Sequence, residues 1–210
     1  MTIPYIPSIY TNSYQSGSYI EAEAIASDLL KKYKDDYQLL NIYGLILLKL
    51  NKSEIAISYF QRSTKIKPDF FDAFFNLSVA FNDLRKFEEA ILPLKECLKI
   101  NPQSAQTLVF LGNIYSKLNQ ENISENYYNQ LIQFNSKNSI AYYSLANLYK
   151  KKKEYDKAIT SYKLAIKYNN NDFASYNNLA TLYQEIGKFD LAISNFESAI
   201  RINPKFSSLY

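Results

Sequence analysis

A step of 34 residues governs this chain. Four alanine-centred phrases, EIAISYF, EEAILPL, DKAITSY and DLAISNF, set their alanines at Ala56, Ala90, Ala158 and Ala192. The first two lie 34 residues apart, as do the last two; the interval between the pairs is two such steps, with Ser124 at the intervening register. A period of this length marks a supersecondary unit that cannot bury its own apolar face, so that neighbours must stack to form a continuous core. The 210 residues, 47% hydrophobic and 21% charged, suffice for such a core. Only 4 Gly and 6 Pro occur, too few for the many tight turns of an all-β chain and suited to helices with short connections.

Each repeat is numbered from slot 1 at Tyr37, Phe71, Ala105, Ser139 and Phe173. Slot 7 then holds Tyr43, Leu77, Leu111, Leu145 and Leu179, and slot 8 holds the small residues Gly44, Ser78, Gly112, Ala146 and Ala180. Slot 11 holds Leu47, Phe81, Tyr115, Tyr149 and Tyr183; slot 24 holds Phe60, Leu94, Tyr128, Tyr162 and Phe196. At about 100° per residue, slots 4, 7, 8 and 11 share one face of a first helix, A. The small slot 8 lets a second helix, B, approach with the slot-20 alanine facing it, and the slot-11 and slot-24 aromatics fill the remaining space. Asp36, Ser104, Asn138 and Asp172 at slot 34 are predicted to cap the next helix A. Asn51, Asn119 and Gly187 at slot 15 suit a left-handed turn after it.

This pattern resembles the tetratricopeptide repeat, whose bulky and small residues alternate at these slots over 34 residues. Pentatricopeptide repeats, which read RNA, have a similar hairpin but a longer period. The resemblance implies an all-α, right-handed superhelical solenoid of about six hairpins. The expected divisions are a degenerate cap at 1–36, repeats at 37–70, 71–104, 105–138, 139–172 and 173–206, and the start of a further helix at 207–210. In the cap, Gly17, Tyr19, Ala22 and Leu29 hold the slots of a second helix, behind a weak first helix near residues 6–15 limited by Pro4 and Pro7. Pro93, inside helix B of the second full repeat, is expected to remove one backbone hydrogen bond and bend the helix, as a tolerated outward-facing kink or, alternatively, a functional hinge.

Chemistry is constrained more by what is missing. The chain has no histidine, which removes His-based acid–base catalysis, His metal ligation and His triads. Cys97, its single cysteine, falls at slot 27, where a buried inert thiol is expected. The glycines are too scattered to cradle a phosphate. No cofactor is implied. Net charge is +4, too mild to argue for nucleic acid, and no base-stacking aromatics accompany the lysines in a recognisable arrangement. The most apolar run, 43–50, is far short of a membrane span of roughly 20 residues, and no secretory signal is visible. Membrane insertion is not expected, and a cytoplasmic location is the reading.

Tetratricopeptide arrays bind on the concave wall formed by helix-A slots 2, 5, 6, 9, 12 and 13, and the resemblance therefore implies a protein or peptide partner held there. The wall would comprise Asn41, Asn76, Asn82, Asn113, Lys117, Tyr143, Asn147, Lys151, Asn177 and Asn178. A carboxamide both donates and accepts, so an asparagine row can pair with a peptide backbone whatever its side chains. The row is similar to the asparagine ladder of the O-GlcNAc transferase superhelix, with Ile42, Phe110 and Ser144 as departures at slot 6. The same row also follows from an Asn-rich composition, and the sequence leaves both readings open. Slots 2 and 5 carry no Lys or Arg, which argues against a clamp for a C-terminal carboxylate. Lys150 to Lys153 read as a solvated basic edge, with a site for an acidic partner as the alternative. The end at Tyr210, where a new helix A would begin without a polar cap, suggests either a substrate-recruiting arm of a larger glycosyltransferase- or sulfotransferase-type enzyme or self-association through an open C-terminal face.

Overall fold

The computed structural model describes residues 18–204, and among these there are eleven helices and no strand. They are α1 (Tyr19–Lys32), α2 (Tyr37–Lys49), α3 (Ser53–Ile66), α4 (Phe71–Asp83), α5 (Phe87–Ile100), α6 (Ala105–Lys117), α7 (Glu121–Phe134), α8 (Ser139–Lys151), α9 (Tyr155–Tyr168), α10 (Phe173–Glu185) and α11 (Phe189–Ile202). The chain divides into two compact halves, Met1–Thr107 and Leu108–Tyr210. In the first, α1 packs on α2, α2 on both α3 and α4, α3 on α4 and α4 on α5. In the second, α7 packs on α8, α8 on α9, α9 on α10 and α10 on α11. The expected first helix of the cap, with Gly17, and the residues after Pro204 lie outside the described residues.

Local chemistry sets where the helices start and stop. Asp36 accepts from Leu39 N at 2.8 Å, Asn138 from Ala141 N at 2.9 Å and Asp172 from Ala174 N at 3.1 Å. Ser104 Oγ accepts from Thr107 N at 3.3 Å, so all four predicted caps form. Phe70 holds the equivalent place before α4 and offers no cap. Every A helix ends in the same left-handed turn, at Asn51, Arg85, Asn119, Lys153 and Gly187, with φ between 56° and 76°. The next amide closes a Schellman bond back to slot 11, as from Lys52 N to Leu47 O and Glu154 N to Tyr149 O, both 2.9 Å. Arg85 and Lys153 have no sequence signal for this conformation. The tertiary register imposes it on them.

The slot-8 residues work as anticipated. A Cβ built on Gly44 would lie 2.5 Å from Cε1 of Phe60, and one on Gly112 would collide with the Tyr128 ring. Phe60 is fully buried in the first core, with Ala22, Ala26, Leu39, Ile46, Leu47 and Ala56; its burial contributes about 2–3 kcal/mol. At slot 27 a second tie joins the hairpins: Ser63 Oγ donates to Tyr37 O at 2.8 Å and Cys97 Sγ to Phe71 O at 3.6 Å. Pro93 departs from expectation. It is buried, and α5 runs continuously through it.

In the second half, Ile159 and Ile166 of α9 lie half-buried against a core cluster that includes Leu179, Leu182 and Tyr183 of α10. Ile193 and Ile200 occupy the same slots in α11 and are 57% and 40% exposed. No described helix lies over them.

Candidate helix-A asparagine face

The predicted wall residues fall in two groups, one per half. In the first, Asn41 is 6% exposed, and its Oδ1 accepts from Asn76 Nδ2 at 2.9 Å, tying α2 to α4. Asn76 is half-buried, as is Asn82 one turn and a half further along α4. Asn41 is thus support behind Asn76 and presents little surface of its own.

In the second half the carboxamides form a more elaborate system. Tyr128 Oη donates to Asn113 Oδ1 at 2.7 Å, and Tyr162 Oη donates to Asn147 Oδ1 at 2.6 Å. Both pairs run from slot 24 of helix B to slot 9 of helix A in the same hairpin. Asn178 Nδ2 donates to Asn147 Oδ1 at 3.1 Å and to Tyr143 Oη at 3.2 Å, linking α10 to α8. Tyr143 also packs its ring 6.2 Å from that of Tyr162. Asn113 is exposed, while Tyr143, Asn147, Asn177 and Asn178 are half-buried. Asn177 lends its backbone carbonyl to Thr181 Oγ1 at 2.9 Å. The two phenols are buried, and burial pushes Tyr128 up to about 12. Tyr162 is raised as well, by burial first and then by Tyr143, with nearby Asn178 pulling the other way.

Sequence reasoning placed Tyr128 and Tyr162 in the core by size alone and missed their hydroxyls. A signal existed. Slot 9 reads Leu45, Val79, Asn113, Asn147 and Thr181, and slot 24 is tyrosine in the same two repeats where slot 9 is asparagine. The asparagines of slot 9 therefore meet a structural need: a buried phenol requires an acceptor.

Three of the four lysines of the edge are paired with acidic neighbours. Lys151 Nζ donates to Ser116 O at 2.6 Å and Asn119 Oδ1 at 2.8 Å and pairs with Glu121 at 3.2 Å, closing the turn that follows α6. Lys152 pairs with Glu125 at 3.1 Å and Glu154 at 2.9 Å, and Lys150 faces Glu185 at 3.6 Å. Glu125 also accepts from Tyr149 Oη at 2.8 Å. Hydrogen bonds to Glu154 and Glu125 raise Lys152, and those to Lys157 and Lys152 lower Glu154. Lys150, Lys151 and Lys152 are thus tied to acidic neighbours, while Lys153 stays exposed. Lys117 is exposed at the end of α6.

Cys97 is fully buried, and burial, with Asp72 adding to it, pushes its thiol up to about 12. A neutral thiol without access is no nucleophile. Among the described residues no group of His, Cys, Asp and Glu is arranged to hold a metal ion, and no helix is long and apolar enough to cross a membrane.

Comparison with known proteins agrees with this architecture. Residues 138–205 and 105–138 match tetratricopeptide-repeat models, and residues 9–109 match that of ChAPs (Chs5p-Arf1p-binding proteins). A tetratricopeptide-repeat protein from Parabacteroides merdae superposes with a TM-score of 0.80 at 22% identity, over 93% of this chain and 77% of that one. PilF of Pseudomonas aeruginosa gives 0.75 at 16% identity, over 98% and 96%. YrrB, a repeat protein with an unusual peptide-binding site, gives 0.61 at 15% identity, over 85% and 92%. At the sequence level, the protein O-mannosyl-transferase Tmtc3 of Drosophila melanogaster is 28% identical over 92 residues, 42% of this chain and 10% of that protein's length. With the 34-residue hairpin, the small slot 8 under a slot-24 ring and these matches in register, residues 105–205 are tetratricopeptide repeats, and the chain has the tetratricopeptide-type helical-hairpin fold.

Proposed function

We propose that this chain holds a segment of another protein in extended form on the A-helix face of its repeats. The observation that carries the reading is the asparagine system of α6, α8 and α10, in which Asn113, Asn147 and Asn178 belong to successive hairpins and bond to one another or to buried tyrosines. Carboxamides fixed in this way lose little freedom on binding and offer main-chain partners. The first half carries a group of its own, Asn76 and Asn82 with Asn41 behind them; in the second half Tyr143, Asn177, Lys117 and Lys151 border the asparagines. YrrB, similar in fold, has a peptide-binding site.

A photo-crosslinking amino acid at Asn113 tests this. In an extract of the source cells it should trap one or a few discrete proteins. The same group at Lys163, exposed on the outer helix α9, should not. Equal labelling from both positions, or none from Asn113, would sink the reading.

A second reading rests on the likeness to Tmtc3: the repeats recruit substrate for a transferase within a longer protein. Immunoblotting of the native protein discriminates. A mass well above 24.4 kDa supports the enzyme arm, and a mass at that value rejects it.

A further inference from the structure

A free asparagine side chain turns either its oxygen or its nitrogen outward, because a half-turn of the amide exchanges them. Asn113 and Asn147 lack that choice. Tyr128 is 2% exposed and Tyr162 is 0% exposed, so neither phenol proton can find bulk water. Each is given to an asparagine Oδ1, at 2.7 and 2.6 Å. Turning either amide around would set its NH2 against the phenol and take away the acceptor that the hydroxyl proton has here. Asn147 is held twice over, since the same oxygen also receives Asn178 Nδ2 at 3.1 Å. Among the described residues, the Nδ2 groups of Asn113 and Asn147 make no hydrogen bond. Asn178 has the opposite polarity: its amine points to Asn147 and Tyr143, and its Oδ1 is left over.

We infer that Tyr128 and Tyr162 are positioning residues that fix the polarity of this face, so that α6 and α8 present amide N–H donors and α10 presents a carbonyl acceptor. The inference rests on the peptide-holding reading above and narrows it. The partner is an extended chain that offers main-chain carbonyl oxygens to Asn113 and Asn147 and a main-chain N–H to Asn178. Such a site reads backbone conformation and tolerates varied side chains.

The test uses the full chain and linear peptides selected on it from a random display library, keeping those displaced by a bulky Asn113→Arg substitution. Asn113→Asp and Asn147→Asp keep an oxygen for the phenol and remove the outward donor; each should weaken peptide binding at least tenfold while helicity holds. Tyr128→Phe and Tyr162→Phe should weaken it about threefold to tenfold. Phenylalanine already stands at this slot in Phe60 and Phe196, so the fold accepts it. A double-mutant cycle on the peptide dissociation constant separates positioning from packing. Tyr162→Phe should have no further effect once Asn147→Ala is present. Independent, multiplicative effects would overturn the inference and leave the peptide-holding function standing. A library that yields no peptide sensitive to Asn113→Arg would overturn both.

Discussion

Asn147 takes two hydrogen bonds on one oxygen, and this makes its removal costlier than its half-exposure suggests. Asn147→Ala leaves the fully buried Tyr162 hydroxyl without an acceptor, a loss of about 1–3 kcal/mol. Tyr162→Phe removes both the hydroxyl and its need, and should cost only about 1 kcal/mol. Urea unfolding of the two variants checks the order; a larger loss for the phenylalanine would show that the bond itself, and not the orphaned proton, carries the energy. The buried acids make a second residue-scale prediction, for alkaline solution. Cys97 is raised from 9.0 to about 12, and Tyr128 and Tyr149 from 10.0 to about 12. The unfolded chain therefore loses these protons first, and above pH 9 it is the unfolded state that gains. Stability from these groups is complete below pH 9 and declines as pH rises toward 12. Melting temperatures of Cys97→Ser, which places at slot 27 the hydroxyl already tolerated at Ser63, should fall less steeply across that interval than those of the parent. Parallel slopes would show that the thiol ionises as readily folded as unfolded.

At the scale of the element, the repeat register overrides local preference in two turns. Arg85 and Lys153 sit at φ 57° and 60° with side chains in solvent, a conformation that costs a non-glycine residue about 1–2 kcal/mol. Glycine removes that cost and adds unfolded-state entropy of about 0.4–1 kcal/mol. Lys153→Gly should therefore stabilise the chain by roughly 0.5–1 kcal/mol, as read from denaturant midpoints at unchanged slope; a destabilised variant would mean that Lys153 contributes contacts absent from this structure. The helix caps and the slot-8 contacts were legible because each depends on the chemistry of one residue at a fixed place in the period: an oxygen at Asp36, Asn138 or Asp172, a missing Cβ at Gly44 or Gly112. The left-handed turn at Arg85 and Lys153 was not, because nothing in those residues favours it; only the demand that helix B return against helix A produces it. The polarity of the asparagine face was half legible. The carboxamides could be placed on the helix-A face from the period, but their hydrogen-bond partners lie 15 residues away in Tyr128 and Tyr162 and 31 residues away in Asn178, and the period reports side-chain size more readily than hydroxyl chemistry. Pro93 was misjudged for a related reason: the sequence marks the lost hydrogen bond and says nothing of which face has room for the ring.

At the scale of the molecule, stability is a sum over hairpins and the contacts between neighbours, with no single distant pairing to fail first. In the second half this has a measurable consequence. Ile159 and Ile166 are held between α9 and α10, whereas Ile193 and Ile200 have only their own hairpin beneath them. The double change Ile159→Lys and Ile166→Lys removes two side chains from half-buried apolar packing and should destabilise this half by about 1–3 kcal/mol per site, with the ammonium groups reaching for solvent. The same change at Ile193 and Ile200 puts charge where solvent already reaches and should shift stability by about 0.5 kcal/mol per site or less. Amide exchange extends the contrast to the unmodified chain. Local opening requires breaking every neighbour contact an element makes, so α11, packed on α10 alone among the described helices, should exchange faster than α8 and α9, which are packed on both sides. The protection of α11 should also be lost without loss in α9. If α9 and α11 exchange together, with one rate and one dependence on denaturant, the half opens as a block and the neighbour-by-neighbour picture fails for this chain. If α11 opens first, its exposed isoleucines belong to the least stable hairpin of that half, and any chain that covers them adds stability to α11 before it adds any to α9.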